Sequence, residues 1–434
     1  MFSKRRWSGT PAQCAAPRAR RRTLPAPGCL PLLLLLSLTA ACGFPRPPDV
    51  PDDTDGGCTR DADCGGSAPY CLDRTCVVCK DSTTCPAARP VCDPTSHGCR
   101  TCTRDSDCDS GACDLAAGTC VDQGAILYAS PGGLTADPCT RAAPCSFSQA
   151  SSAVDASHAY IVLLPGTHET GHFSAKKATV CGNGATLAPG TVLDNGASVS
   201  VRNLKVIETV RASAFGAGTA FSAFGSDITL DDVDIHLTML SAVEGGRVVT
   251  VRNTTITNGN IVSSAHVIVD RSTFFGSSIE IFGTDPRVDV TNSVFVATAG
   301  RVVIGINGAP GSTEPGSASI INNTIIGGVI RCSGSEIYTK FFDSNVFYNV
   351  SSLQNEPGCK YNYNLIVPTM NVGGTGNITG DPLFVDLAGN DFHLRAGSPA
   401  INAADPAISN GHDHDGRPRP AGGRPDIGAF EYGP

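Results

Sequence analysis

At 434 residues the chain has room for two or three domains, and with 48 Gly, 6% aromatic and 17% charged residues it suits short strands joined by turns better than a helical enzyme core. Its formal charge is −8, yet the first 41 residues hold seven Lys or Arg and no acid, so the remainder stands at about −15. A surface of that sign repels phosphate backbones, which argues against nucleic acid as a partner.

The chain opens with a basic region, Lys4, Arg5, Arg6 and Arg20-Arg21-Arg22, ahead of an apolar stretch containing Leu32 to Leu36 and Leu38. That stretch covers roughly a dozen residues, short of the ~20 needed to span a bilayer, so it reads as an export signal. It ends in Leu38-Thr39-Ala40-Ala41-Cys42, which resembles the bacterial lipoprotein box. The resemblance implies cleavage before Cys42 and lipidation of its thiol; an ordinary secretory signal cut after Ala41 is the other reading. Gly43 rather than Asp after the cysteine implies, in those families, the outer membrane or cell surface. A signal at 1–41 and a lipidated Pro- and Asp-rich tether at 42–57 are thus expected, with the membrane as a partner through the anchor.

Residues 58–122 contain three four-cysteine units: Cys58, Cys64, Cys71, Cys76; then Cys79, Cys85, Cys92, Cys99; then Cys102, Cys108, Cys113, Cys120. Each unit is too small to fold on an apolar core. The Cys76-x2-Cys79 and Cys99-x2-Cys102 spacings are near those of a zinc site, but they only mark junctions between units. In an exported chain disulfides are expected, two per unit, with three connectivities open for each. The units resemble the short Cys-rich repeats of myxobacterial-type surface lipoproteins, which implies no catalytic role.

From residue 126 to 434 the pattern changes. A phrase of an apolar residue, a spacer, Asn or Asp, two residues and another apolar residue recurs, as in Val201-Arg202-Asn203-Leu204-Lys205-Val206 and Val251-Arg252-Asn253-Thr254-Thr255-Ile256. Its centres are Gly182, Asn203, Asp232, Asn253, Arg271, Asn292, Asn322, Asp343 and Asn362, at steps of 18 to 30 residues. A period near twenty built from alternating β-branched runs marks a stacked solenoid. Phe147, Ala150, Ala153 and Val154 share a helical face, which predicts a helix capping its open end. Ile126-Leu127-Tyr128 and Ile161-Val162-Leu163-Leu164-Pro165-Gly166-Thr167-His168 around that helix resemble the N-terminal opening of the pectin-lyase-like superfamily. Asp381-Pro382-Leu383-Phe384, Gly397-Ser398-Pro399-Ala400 and Asp426-Ile427-Gly428-Ala429-Phe430-Glu431-Tyr432 resemble the closing region of β-helix proteins with a choice-of-anchor-type tail. The resemblance implies an all-β fold: a right-handed parallel β-helix with an N-terminal helical cap, preceded by a small disulfide-rich module.

In such a helix the recurrent Asn203, Asn253 and Asn292 are expected to form an inward amide ladder. The residues just before the centres, Arg202, Asp231, Arg252 and Asp270, alternate in sign and predict an ion-pair column. Asp231, Asp234 and His236 form the dense acidic and His cluster, and so are the catalytic candidates. The binding candidates lie on two long steps: Arg211, Phe215, Phe221 and Phe224, then Arg301, Asn307 and Glu314. Cys139 with Cys145 and Cys332 with Cys359 are close enough in sequence to pair, leaving Cys181 as a buried small apolar residue. Asp413-His414-Asp415-Gly416 opens like a calcium loop but lacks the later acidic ligand, so a turn is expected. No cofactor fingerprint is present, and no metal site is expected. The favoured function is noncatalytic attachment or recognition outside the cell, with a polysaccharide or a surface protein as partner. The alternative is a polysaccharide lyase or glycoside hydrolase acting on an extended glycan.

Overall fold

The computed structural model describes residues 57–208, 219–238, 241–283, 286–308, 317–333, 339–354, 356, 358–408 and 411–433. The signal, Cys42 and the tether up to residue 56 lie outside the described residues, as do Arg211, Phe215 and Glu314.

Strands of three to ten residues dominate because the chain alternates apolar and polar side chains between turns. They stack in parallel into a solenoid with three faces. In one coil Val248–Arg252 lies on sheet A, Thr255–Thr257 on sheet B and Asn260–Ser263 on sheet C. The next coil repeats them as His266–Asp270, Thr273–Phe275 and Ile279–Gly283, in register with their predecessors. Among the described residues sheet C has nine strands, while A and B join into one nineteen-stranded sheet because Ser198–Ile207 and Asp227–His236 run through both. The inward residues form one continuous core, including stacked Phe274–Phe295 and Phe342–Tyr361.

The bend between sheets A and B needs a left-handed residue, which Asn tolerates best after Gly. It is Asn203, Asp232, Asn253, Arg271, Asn292 and Asn322, with φ between 47° and 57°. In the next two coils it is Ser344 and Tyr363, so the expected centres Asp343 and Asn362 fall one residue early. In the first coil Asn183, after Gly182, takes this conformation. The amide ladder is also displaced by one. The left-handed residue breaks the alternation of side chains, so the following side chain points inward. Thr254, Ser272, Ser293, Asn323, Asn345, Asn364 and Asn377 each accept a backbone N–H from the coil before, at 2.9–3.3 Å. From Asn323 onward the amides also bond one another at 3.1 Å.

The helix Phe147–Ala153, capped by Ser146, covers the first coil with Phe147, Ala150 and Val154, and Phe147 meets Phe173 at 6.1 Å. At the other end the tail folds back over the outer side of sheet B. There Phe384, Phe392, Ile427 and Phe430 cover Val294, Val346 and Leu365. Asp413 is fully buried and accepts from the Arg417 and Glu431 N–H groups, so the Asp413-His414-Asp415 segment is a structural turn. A buried Arg419–Glu431 pair at 2.7 Å fastens it.

Each Cys-rich unit is a short 3-10 turn and a two-stranded hairpin, bridged first to third and second to fourth. The pairs are Cys58–Cys71 and Cys64–Cys76, Cys79–Cys92 and Cys85–Cys99, and Cys102–Cys113 and Cys108–Cys120. Sulfurs of Cys58, Cys64 and Cys71 lie within 4.8 Å of one another, but all are used in disulfides. Cys139–Cys145 and Cys332–Cys359 are also bridged, and Cys181 is free and buried.

The third unit is docked on the outer side of the first coils, where Ala112 packs with Tyr128, Val162 and Cys181. The Tyr128 hydroxyl donates to Ser110 O, Asn183 Nδ2 to Gly111 O and Arg141 to Asp109 O, at 2.8–3.0 Å.

Candidate functional site

The charge column keeps its expected register, Arg202 beside Asp231 and Asp231 beside Arg252, but it is not an ion-pair ladder. Arg202 turns to the third unit instead. Its Nη2 lies 3.0 Å from Asp105 Oδ1 and donates to Cys113 O at 3.1 Å, while its Nε has no acceptor among the described residues. Asp231 accepts from Asn253 Nδ2 at 2.7 Å. Asp270 bonds Asn292, Thr291, Arg271 and His412, and so fastens the tail.

The three catalytic candidates are not brought to one place. The bend at Asp232 puts Asp231 on the outer side of sheet A and Asp234 and His236 on that of sheet B. There Asp234 and His236 pair at 2.8 Å. Asp231 and Asp234 both face out, on different faces of the coil, because the left-handed Asp232 between them breaks the strand alternation.

The binding candidates also separate. Phe221 is fully buried in sheet C, a correction that follows from the long step ending before strand Thr219–Ala223, whose alternation turns Phe221 inward. Phe224 is exposed at the turn that follows. Arg301 donates to Asn260 and Asn307 accepts from Ser333, four strands along sheet C from Phe221, about 19 Å at the strand spacing.

Two clefts open instead on the outer side of sheet A. The larger, about 670 Å³, is lined by Tyr160, Lys177, Thr179, Ser200 and Thr229 against the segment after the capping helix. Tyr160, Thr179, Ser200 and Thr229 are strand neighbours in one column, so their hydroxyl groups repeat at the inter-strand spacing. Its one carboxylate, Asp155, is held at about 2 by the Ser157 hydroxyl and by His158.

The second cleft, about 400 Å³, lies where the third Cys-rich unit meets the solenoid, between Thr103 and Leu115 on one side and Asn203, Asp231, Asp232 and Asn253 on the other. The Asp232 carboxyl is raised above its ordinary value, first by partial desolvation and then by Asp231. Ser200 and Thr229 of the larger cleft lie two strand residues from Arg202 and Asp231 of the smaller, about 6.6 Å on the same face. The outward hydroxyl column, readable in Thr179, Ser198-Val199-Ser200 and Ile228-Thr229-Leu230, was the sequence signal for this face.

Glycoside hydrolysis needs two carboxyl groups flanking the scissile bond. Asp231 and Asp232 instead come from one wall of the smaller cleft, and Asp105 is engaged by Arg202 and the Cys113 N–H. The arrangement can offer hydroxyl, amide and carboxylate partners to a ligand.

No protein-family model matches the chain, and no curated protein matches it in sequence. Among solved structures, the crystal structure of pectate lyase Pel9A is similar at a TM-score of 0.38 and 17% identity, over 71% of this chain and 96% of that one.

Proposed function

We propose that this chain is a noncatalytic, lipid-anchored surface protein that recognises an extended extracellular glycan along the outer side of sheet A. The reading rests on the two adjoining clefts, whose hydroxyl, amide and carboxylate groups sit on a stacked, rigid face with Tyr160 and Leu115 as less polar walls. Sugar recognition requires such a set of fixed donors and acceptors. The separation of Asp231 from Asp234 and His236 favours binding over chain cleavage. Lipidation at Cys42 would then hold the protein at the outer membrane or cell surface.

A glycan array probed with the secreted Cys42→Ser protein tests the binding reading. Binding that falls at least tenfold in Thr229→Arg supports it. Absence of any bound glycan overturns it, and so does release of products that stops when Asp231, Asp234 or His236 is replaced. For location, labelled fatty acid should enter the wild type and not Cys42→Ser. Protection of the protein from protease on intact cells would refute surface display.

A further inference from the structure

We propose that the larger cleft takes a neutral, linear glycan of β-1,4-linked pyranose rings, laid along the solenoid axis. The inference rests on the glycan reading and names the polymer class for that cleft.

The floor of the cleft sets a repeat. Tyr160, Thr179, Ser200 and Thr229 lie one per coil in register, so their hydroxyl groups form a straight row at about 4.8 Å intervals. None of the four hydroxyls makes a hydrogen bond among the described residues, whereas Thr219 donates to Glu244 and Thr291 to Asp270. All four residues are partly exposed, and a hydroxyl both donates and accepts, as the hydroxyls of a sugar do. The strands beneath them are paired on both sides, so this face offers no free backbone edge to a peptide strand.

A ligand that meets every hydroxyl alike must be straight and must repeat at nearly the coil spacing. Pyranose rings joined through equatorial bonds at C1 and C4 do so, because the chain is extended and each ring advances it by about one strand spacing. An axial bond at C1 turns each ring against the last and curls the chain off the row. The row spans about 14 Å, room for about three rings.

Charge and walls narrow the class further. Lys176 donates to Val154 O at 2.8 Å, and Asp155 accepts from Ser157 and His158. Lys177, exposed at the rim, is then a single cation, too few for a polymer with a carboxylate on every ring. Ala156 and Ala159 form a low apolar wall for the C–H face of a ring.

The test is titration of the full mature chain, with Cys42→Ser and its disulfides intact, by β-1,4-linked hexamers of glucose, mannose, xylose and N-acetylglucosamine. The α-1,4-linked hexamers of glucose and of galacturonic acid are the comparison ligands. At least one β-1,4 hexamer should bind tenfold or more tightly than either α-1,4 hexamer. Thr179→Val and Ser200→Val remove a hydroxyl and keep a strand-forming residue, and each should weaken that binding at least fivefold. Ser319→Val, four strands beyond Thr229 in the same outward column, should leave it unchanged.

An α-1,4 hexamer that binds as tightly, and is weakened by Thr229→Arg, would overturn the polymer class and leave the glycan reading standing. Binding of other glycans on the array, with none of the four β-1,4 hexamers bound, would do the same. Unchanged affinity in Thr179→Val and Ser200→Val would take the ligand off the row and overturn the site, as would equal weakening in Ser319→Val. Failure of every hexamer to bind, together with an empty glycan array, would overturn both readings.

Discussion

Replacing Asp105 with Asn should undock the third Cys-rich unit. Asn keeps an oxygen for the Cys113 N–H, which Asp105 Oδ1 now accepts at 2.9 Å, so the change isolates the charge. Arg202 is then a cation with 11% of its side chain exposed and no carboxylate beside it. Removing one partner of a buried pair costs about 3–5 kcal/mol. Arg202 keeps the Cys113 carbonyl at 3.1 Å and the Cys181 sulfur at 3.5 Å, so the lower end, about 3 kcal/mol, is expected. Because unfolding of a stacked repeat protein need not be two-state, a local readout is preferable. Cys181 supplies it: the thiol is fully buried against the docked unit and is pushed up to about 12, chiefly by burial. When labelling follows transient undocking, 3 kcal/mol corresponds to alkylation on the order of 100-fold faster. Arg202→Met combined with Asp105→Asn should restore most of the protection, since a matched apolar replacement avoids the stranded charge. A labelling rate within threefold of wild type, or strictly additive effects in the double variant, would refute the reasoning.

Asn345→Leu should destabilise the solenoid by about 3 kcal/mol in denaturant unfolding, because it strands the Asn323 N–H and the Ile320 carbonyl inside the core. Asp343→Asn should act in the other direction, and only at higher pH. Burial, with Asp405 nearby, raises Asp343 to about 6, so between about pH 4 and 6 the folded chain keeps a proton that the unfolded chain has lost. Stability from this group therefore falls as pH rises through that window. The Asn variant should be more stable by about 2 kcal/mol at pH 7.5 and indistinguishable at pH 3.5. A gain of equal size at both pH values would count against this account. Truncation before Asp381 should expose Val294, Val346 and Leu365 and produce aggregates in size-exclusion chromatography, whereas a monodisperse product would show that the tail is dispensable.

The solenoid was legible because its strands alternate and its bends demand a residue that tolerates positive φ. Which polar column points inward was not, since counting by two fails across a left-handed residue. The run Thr254, Ser272, Ser293, Asn323, Asn345 and Asn364 was present in the sequence, one place beyond the centres Asn253, Arg271, Asn292 and Asn322 and two beyond Asp343 and Asn362. The fold of the tail onto sheet B had a signal too. Lys205, Asp234 and Thr255 are outward on the early coils, whereas Val294-Phe295-Val296 and Leu365-Ile366-Val367 are apolar on both sides. A strand without alternation is buried on both faces. Docking of the third unit left no comparable trace. The same carboxylate position binds Lys80 in the first unit, through Asp61 at 2.6 Å, and Arg202 in the third, through Asp105. Spacing alone cannot say which cation comes to it.

That docking determines the charge of the candidate site. If Arg202 remained in its column it would lie between strand neighbours and could neutralise Asp231. The third unit instead draws the guanidinium to Asp105, and desolvation there strengthens the attraction. Asp231 and Asp232 are left facing the new cleft, while Leu115 from the same unit supplies its apolar side. The Cys-rich unit thus alters recognition in two ways, by adding a wall and by removing a counter-ion. A variant that undocks the unit without unfolding the coils should therefore weaken the glycan binding proposed for this face together with the loss of Leu115. In Asp105→Asn, Cys181 labelling and affinity for a glycan found on the array should change together across a temperature series. Preservation of that affinity while Cys181 becomes freely reactive would separate the site from the joint and refute the role given to the unit.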